Sequence, residues 1–144
     1  MKREVSSCVA LVAPVGRRSP RLYALHFVGS IQARQVVQSL RYFRRRVGQP
    51  LLVVWDRLQA HRSAEVRRFV EAHPRDFQLH LLPPYAPDLN PEEGCNSAAK
   101  EPLKNIETDS VEGLRRAVRA SFRRLGRDKA ALRGFFRHVG LTLN

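Results

Sequence analysis

A chain of 144 residues can bury one core, and this one carries 26 Lys and Arg against 13 Asp and Glu, a formal charge of +13. Such a balance favours polyanions through release of their counterions, so nucleic acid is the default partner. With 43% hydrophobic residues the chain should fold, and the plainer readings of its charge are a GC-rich genome or a membrane-surface protein.

Val5 to Ala13 and Arg21 to Val28 are short apolar runs joined by a turn-rich stretch from Pro14 to Pro20, which predicts two antiparallel strands in a hairpin. Within them Cys8 to Val15 is too short for a signal peptide or a membrane span, and Pro14 interrupts it. Cys8 and Cys95 form no metal-ligand spacing and read as free thiols in a reducing compartment, so the expected location is cytoplasmic. Ser30 stands at an N-cap position before a helix whose Val36, Leu40, Phe43 and Val47 share one face, while Arg41, Arg44, Arg45 and Arg46 line its outer side. Gly48 and Pro50 end it. Leu51 to Trp55 is an unbroken apolar run, the composition of a central strand covered on both faces, with Trp55 a core residue; the run ends in Asp56.

Ser63 can cap a second helix with Val66, Phe69 and Val70 facing inward, ending near His73 and Pro74. Phe77 to Leu82 is the next strand. The stretch from Leu81 to Cys95 then holds four prolines, and Asn90-Pro91 opens a third helix, with asparagine as cap and proline in the first turn, until Pro102 ends or kinks it. Asp109-x-x-Glu112 resembles a capping box for a last helix. There Val111, Leu114, Val118, Phe122 and Leu125 form an apolar stripe, and Arg115, Arg119, Arg123 and Arg127 repeat every four residues on another face. The element order predicts a mixed α/β layer fold in one domain spanning 1–144, with no internal repeat.

Two acids stand where open α/β sheets place their ligand sites: Asp56 at the end of a buried strand and Glu93 in the first turn of a helix. If they converge, their hard oxygens suit Mg²⁺ or Mn²⁺ rather than zinc. Each also has a plainer role, since Asp56 suits the turn after its strand and Glu93 suits reciprocal capping of its helix, with Glu92 beside it favoured by the helix dipole. His61 is either a surface residue or a group that orients a neighbouring acid. The one-sided arginine faces, with Arg41, Arg44, Arg45, Arg115, Arg119 and Arg123 as candidates, favour contact with DNA phosphates.

Leu51-Leu-Val-Val-Trp-Asp-Arg-Leu-Gln-Ala-His-Arg-Ser63 followed by Leu82-Pro-Pro-Tyr-Ala-Pro-Asp-Leu-Asn-Pro-Glu-Glu93 resembles the catalytic core of insertion-sequence transposases of the mariner superfamily, over about residues 8–105. The resemblance implies an RNase H-like mixed sheet with flanking helices, a carboxylate triad, and DNA cleavage and strand transfer with Mg²⁺. It assigns Asp56 as the second catalytic aspartate and Glu93 as the third acid, both metal ligands, with His61 and Asn90 in supporting positions and Glu92 the weaker alternative to Glu93. Arg57 replaces the common asparagine and Asn96 a common tryptophan. The prolines and the Asn-Pro cap would stiffen the backbone that aims the third acid.

The family's first aspartate lies on a strand upstream of the hairpin. Before Asp56 this sequence has one acid, Glu4, at the leading end of the family's second strand. The expectation is therefore a partial catalytic domain over 1–144 that lacks the first strand, followed by a basic helical segment at about 109–140. Such a chain would work as a homodimer or with the upstream transposase part on double-stranded DNA. The alternatives are a non-catalytic DNA-binding remnant that regulates an intact transposase, and a structure-specific nuclease.

Overall fold

The structure, a computed structural model, describes residues 5–13, 19–55, 63–81 and 91–138, without the side chains at 81, 91–93 and 138. The chain divides into two compact units, one formed by Met1–Ser30 with Pro91–Asn144 and the other by Ile31–Asn90.

In the first unit, β1 (Val5–Val12) and β2 (Arg21–Val28) pair antiparallel from Val5 opposite Val28 to Val12 opposite Arg21, the expected hairpin. Strand alternation puts Val5, Ser7, Val9 and Leu11 on the same face as Leu22, Ala24 and His26. From that face Val5, Val9, Leu22 and Ala24 pack against a core of Ala99, Val118 and Phe122. These last three come from α3 (Pro91–Lys100) and α4 (Val111–Arg127). Burying a phenylalanine of this kind stabilises the fold by about 1.5–3 kcal/mol. A 3-10 turn at Glu101–Leu103 follows α3 and contains Pro102, which lacks the N–H needed to continue an α-helix.

The last helix begins one residue later than its sequence suggests. Ser110, not Asp109, is the N-cap, and its Oγ accepts a 3.0 Å hydrogen bond from the Gly113 amide. Glu112 bonds Arg115 across its exposed face rather than closing a capping box with Asp109. The basic C-terminal segment also breaks in two, α4 and α5 (Lys129–His138), at Asp128, whose Oδ1 accepts from the Ala131 amide at 3.0 Å and so caps the second helix. Leu132 on α5 is completely buried. Lys129 ties the break to the hairpin by donating from Nζ to the carbonyls of Pro20 and Gly126.

In the second unit, α1 (Ala33–Val47) buries Val36, Leu40 and Phe43, the face that its spacing predicts. Its N-cap is Gln32 rather than Ser30: the Gln32 amide donates to Gln35 Oε1 at 3.0 Å and the first turn closes from Val36 N to Gln32 O. Gly48 ends the helix in the left-handed conformation at φ 78°, which costs glycine nothing. β3 (Leu51–Trp55) and β4 (Phe77–Leu81) pair in parallel, joined by α2 (Ala64–Ala72), which Ser63 caps through its Oγ as expected. Trp55, Val66 and Phe77 join Val36 and Leu40 in this unit's core.

β3 is not covered on both faces. Leu51, Val53 and Trp55 face the core, while Leu52 and Val54 remain 64% and 53% exposed. An apolar run shows that a strand exists but not how many of its faces are covered, which depends on elements elsewhere in the chain.

Candidate functional site

β3 and β4 are parallel and in register, with Trp55 opposite Leu81, so the chain leaves the sheet at the same end after both strands. Asp56 is the first residue beyond β3. Asp56, His61 and Asn90 lie outside the described residues. Glu92 and Glu93 are the second and third residues of α3, the first-turn position expected from the Asn-Pro signal, and their side chains also lie outside the description. Asp56 and Glu93 belong to different units. Among the described residues no three His, Cys, Asp or Glu side chains form a group that could hold a metal ion.

The basic residues divide into engaged and unengaged sets. On α1, Arg44 pairs with Asp76 at 3.0 Å, and the Arg41 guanidinium lies 4.9 Å from the centre of the Phe69 ring. These two guanidinium groups, with Arg45, line a shallow cleft against Phe69, His73 and Phe77. On α4, Arg115 pairs with Glu112 at 3.4 Å. Arg119 and Arg123 are exposed and make no ion pair among the described residues.

One titratable residue escaped the reading of the sequence. His26 is 6% exposed on the core face of β2, with its Nδ1 2.8 Å from Ser7 Oγ on the paired strand and its ring 5.1 Å from Phe122. Burial, and then the positive charges of Arg119, Arg115 and Lys100, lower its pKa from 6.5 to about 4. The imidazole is therefore neutral at pH 7. Its place in the alternating pattern of Leu22, Ala24 and His26 was the available signal, but the three cations come from helices more than 70 residues away and leave no mark on the strand.

Residues 4–115 match the profile of a family described as DDE superfamily endonuclease. The match spans most of the chain, and the chain belongs to that family. Two solved structures share its fold. The Mos1 transposase catalytic domain with raltegravir and magnesium has a TM-score of 0.61 at 17% identity, covering 94% of this chain and 77% of that one. The crystal structure of the catalytic domain of Mos1 mariner transposase has a TM-score of 0.55 at 16% identity, over 94% and 74%. The fold is that of an RNase H-like transposase catalytic domain of the mariner type. No curated protein is significantly similar in sequence.

Proposed function

We propose that this chain provides part of the catalytic centre for DNA transposition, cutting and joining double-stranded DNA with a divalent metal. The observation that carries this reading is an acid at the end of β3 and a pair of acids in the first turn of α3, in a chain of the DDE superfamily endonuclease family. Asp56 and Glu93 would hold Mg²⁺ or Mn²⁺, because an all-carboxylate donor set suits hard cations. A bound ion of this kind lowers the pKa of an attacking water or hydroxyl and stabilises the leaving oxygen. Asn90 would cap α3 and so fix the direction in which Glu93 is presented, and His61 would orient the Asp56 carboxylate.

Glu4 is the only acid before Asp56 in this sequence, and in this proposal the third acid is supplied by a further segment or a second polypeptide. The active species would then be an assembly, working on DNA in the cytoplasm. The formal charge of +13 supports a second reading, in which the chain alone is a DNA-binding regulator of an intact transposase.

A cleavage assay separates the two. The chain alone should not cut its element's ends, and an extended protein that supplies the upstream aspartate should cut them in the presence of Mg²⁺. Asp56→Asn or Glu93→Gln in the extended protein should abolish cleavage and leave DNA binding nearly intact, since each amide keeps the shape and removes the charge. Retained cleavage in either variant refutes the ligand assignment, and an extended protein that binds DNA but never cuts it establishes the regulator.

A further inference from the structure

The cleft beside α1 is as aromatic as it is basic. Phe69 of α2 and Phe77 of β4 line it with their ring centres 5.4 Å apart, and the Arg41 guanidinium lies 4.9 Å from the centre of the Phe69 ring. Arg44 is held by Asp76 at 3.0 Å, whereas Arg41 and Arg45 are exposed and make no ion pair among the described residues. Three arginines against one aspartate leave two positive charges around the rings. The volume, about 260 Å³, falls short of the ~300–1,000 Å³ usual for small-molecule sites, and suits one apolar side chain of a segment laid across the opening. A phosphate would use the guanidinium groups and gain nothing from the rings. An apolar side chain with carboxylates beside it would use both.

One exposed segment of this chain has that chemistry. Between the 3-10 turn and α4, Ile106 is 44% exposed, and the exposed acids Glu107 and Asp109 come directly after it. Neither acid makes an ion pair among the described residues, while the nearby Glu101 is paired with Lys104 at 2.9 Å. The segment is fixed at both ends. Leu103 packs on the core of the first unit and its carbonyl accepts from the Ile106 amide at 3.2 Å, and Ser110 caps α4. A segment already ordered loses little freedom on binding, and its two negative charges match the two positive charges that the cleft leaves uncompensated.

We propose that this chain self-associates by docking the Ile106 segment of one copy into the α1 cleft of another, with Ile106 against Phe69 and Phe77 and with Glu107 and Asp109 meeting Arg41 and Arg45. The contact goes beyond the proposed role in transposition, which calls for an assembly but assigns no surface to it, and it depends on neither metal ligand.

Sedimentation equilibrium of the full chain, without DNA or divalent metal, reads the association directly, and about 200 mM salt screens the general repulsion between basic chains. The unmodified chain should associate reversibly as its concentration rises, and Ile106→Ser should weaken that association about tenfold or more, the loss expected of a central anchor. Two charge reversals then test the pairing. Arg41→Glu with Arg45→Glu makes the cleft acidic, and Glu107→Lys with Asp109→Lys makes the segment basic, so each variant by itself should stay monomeric. Mixed in equal amounts they should associate again, because the segment of each then meets a cleft of opposite charge on the other. Loss of folding does not produce such a recovery. An unmodified chain that is monomeric at every concentration overturns the proposal. Reversed variants that associate as the unmodified chain does place the contact elsewhere, and a mixture that stays monomeric shows that the two surfaces do not meet. Recovery in the mixture, with no cleavage by the extended protein, would refute only the catalytic reading and leave this contact standing.

Discussion

His26 gives the first unit a stability that depends on pH in a calculable way. In the unfolded chain its imidazole takes up a proton below about pH 6.5; in the folded chain it does so only below about pH 4. Between those values the unfolded state binds the extra proton, so stability is full above pH 6.5, falls as the pH drops, and levels off below 4. Each pKa unit is worth about 1.4 kcal/mol, so the loss across the window is about 3 kcal/mol at most. Other groups titrate in the same range, so the measurement is a difference. Urea unfolding of the chain and of His26→Leu is followed from pH 4 to pH 8, and the gap between them is plotted. The variant leaves the Ser7 hydroxyl without its partner, a cost that is the same at every pH. The gap should therefore shift in favour of the variant as the pH falls, by about 2–3 kcal/mol. A gap that stays constant would mean that the folded imidazole protonates near its ordinary value, and that the burial and the cations around it do not act as argued.

Gly94, next to Glu93, faces α5: a Cβ there would lie 2.7 Å from Phe135 Cδ1. Alanine gains about 1 kcal/mol of helix propensity but overpacks at a cost of about 1–3 kcal/mol, so Gly94→Ala should be neutral to destabilising in thermal unfolding, and adding Phe135→Leu should turn it stabilising. A Gly94→Ala variant more stable by the full propensity gain would show that the ring simply moves aside. Leu132→Ala should cost about 2–5 kcal/mol in urea unfolding, because the side chain is fully buried; a loss under 1 kcal/mol would mean that α5 is not packed on its unit.

The elements themselves were legible in the sequence because their signals are local. Apolar spacing on α1 and α4, the Ser63 cap, the Gly48 stop and the turn-flanked strands each depend on residues within a few positions, and the structure bears them out. Cap positions were legible only to within a residue or two. Ser30, Asp109 and Ser110 all have side chains able to cap, and the choice of Gln32 and Ser110 depends on where the backbone turns. The break at Asp128 was missed although Gly126 precedes it, because the arginine repeat runs on through the glycine to Arg127.

The proposed acids were legible for a different reason: Asp56 and Glu93 sit in a string of prolines, asparagine and carboxylates that is specific in itself, and the family match covers both positions. What surrounds a residue was not legible. The open face of Leu52 and Val54, the engagement of Arg44 by Asp76, and the three cations around His26 all join residues far apart in the chain. Sequence determines what each segment can form, because backbone hydrogen bonds and side-chain spacing act over a turn or a strand. Tertiary structure alone decides which charges are spent on one another and which remain free for a partner, because that depends on the packing of helices whose separation in sequence is arbitrary.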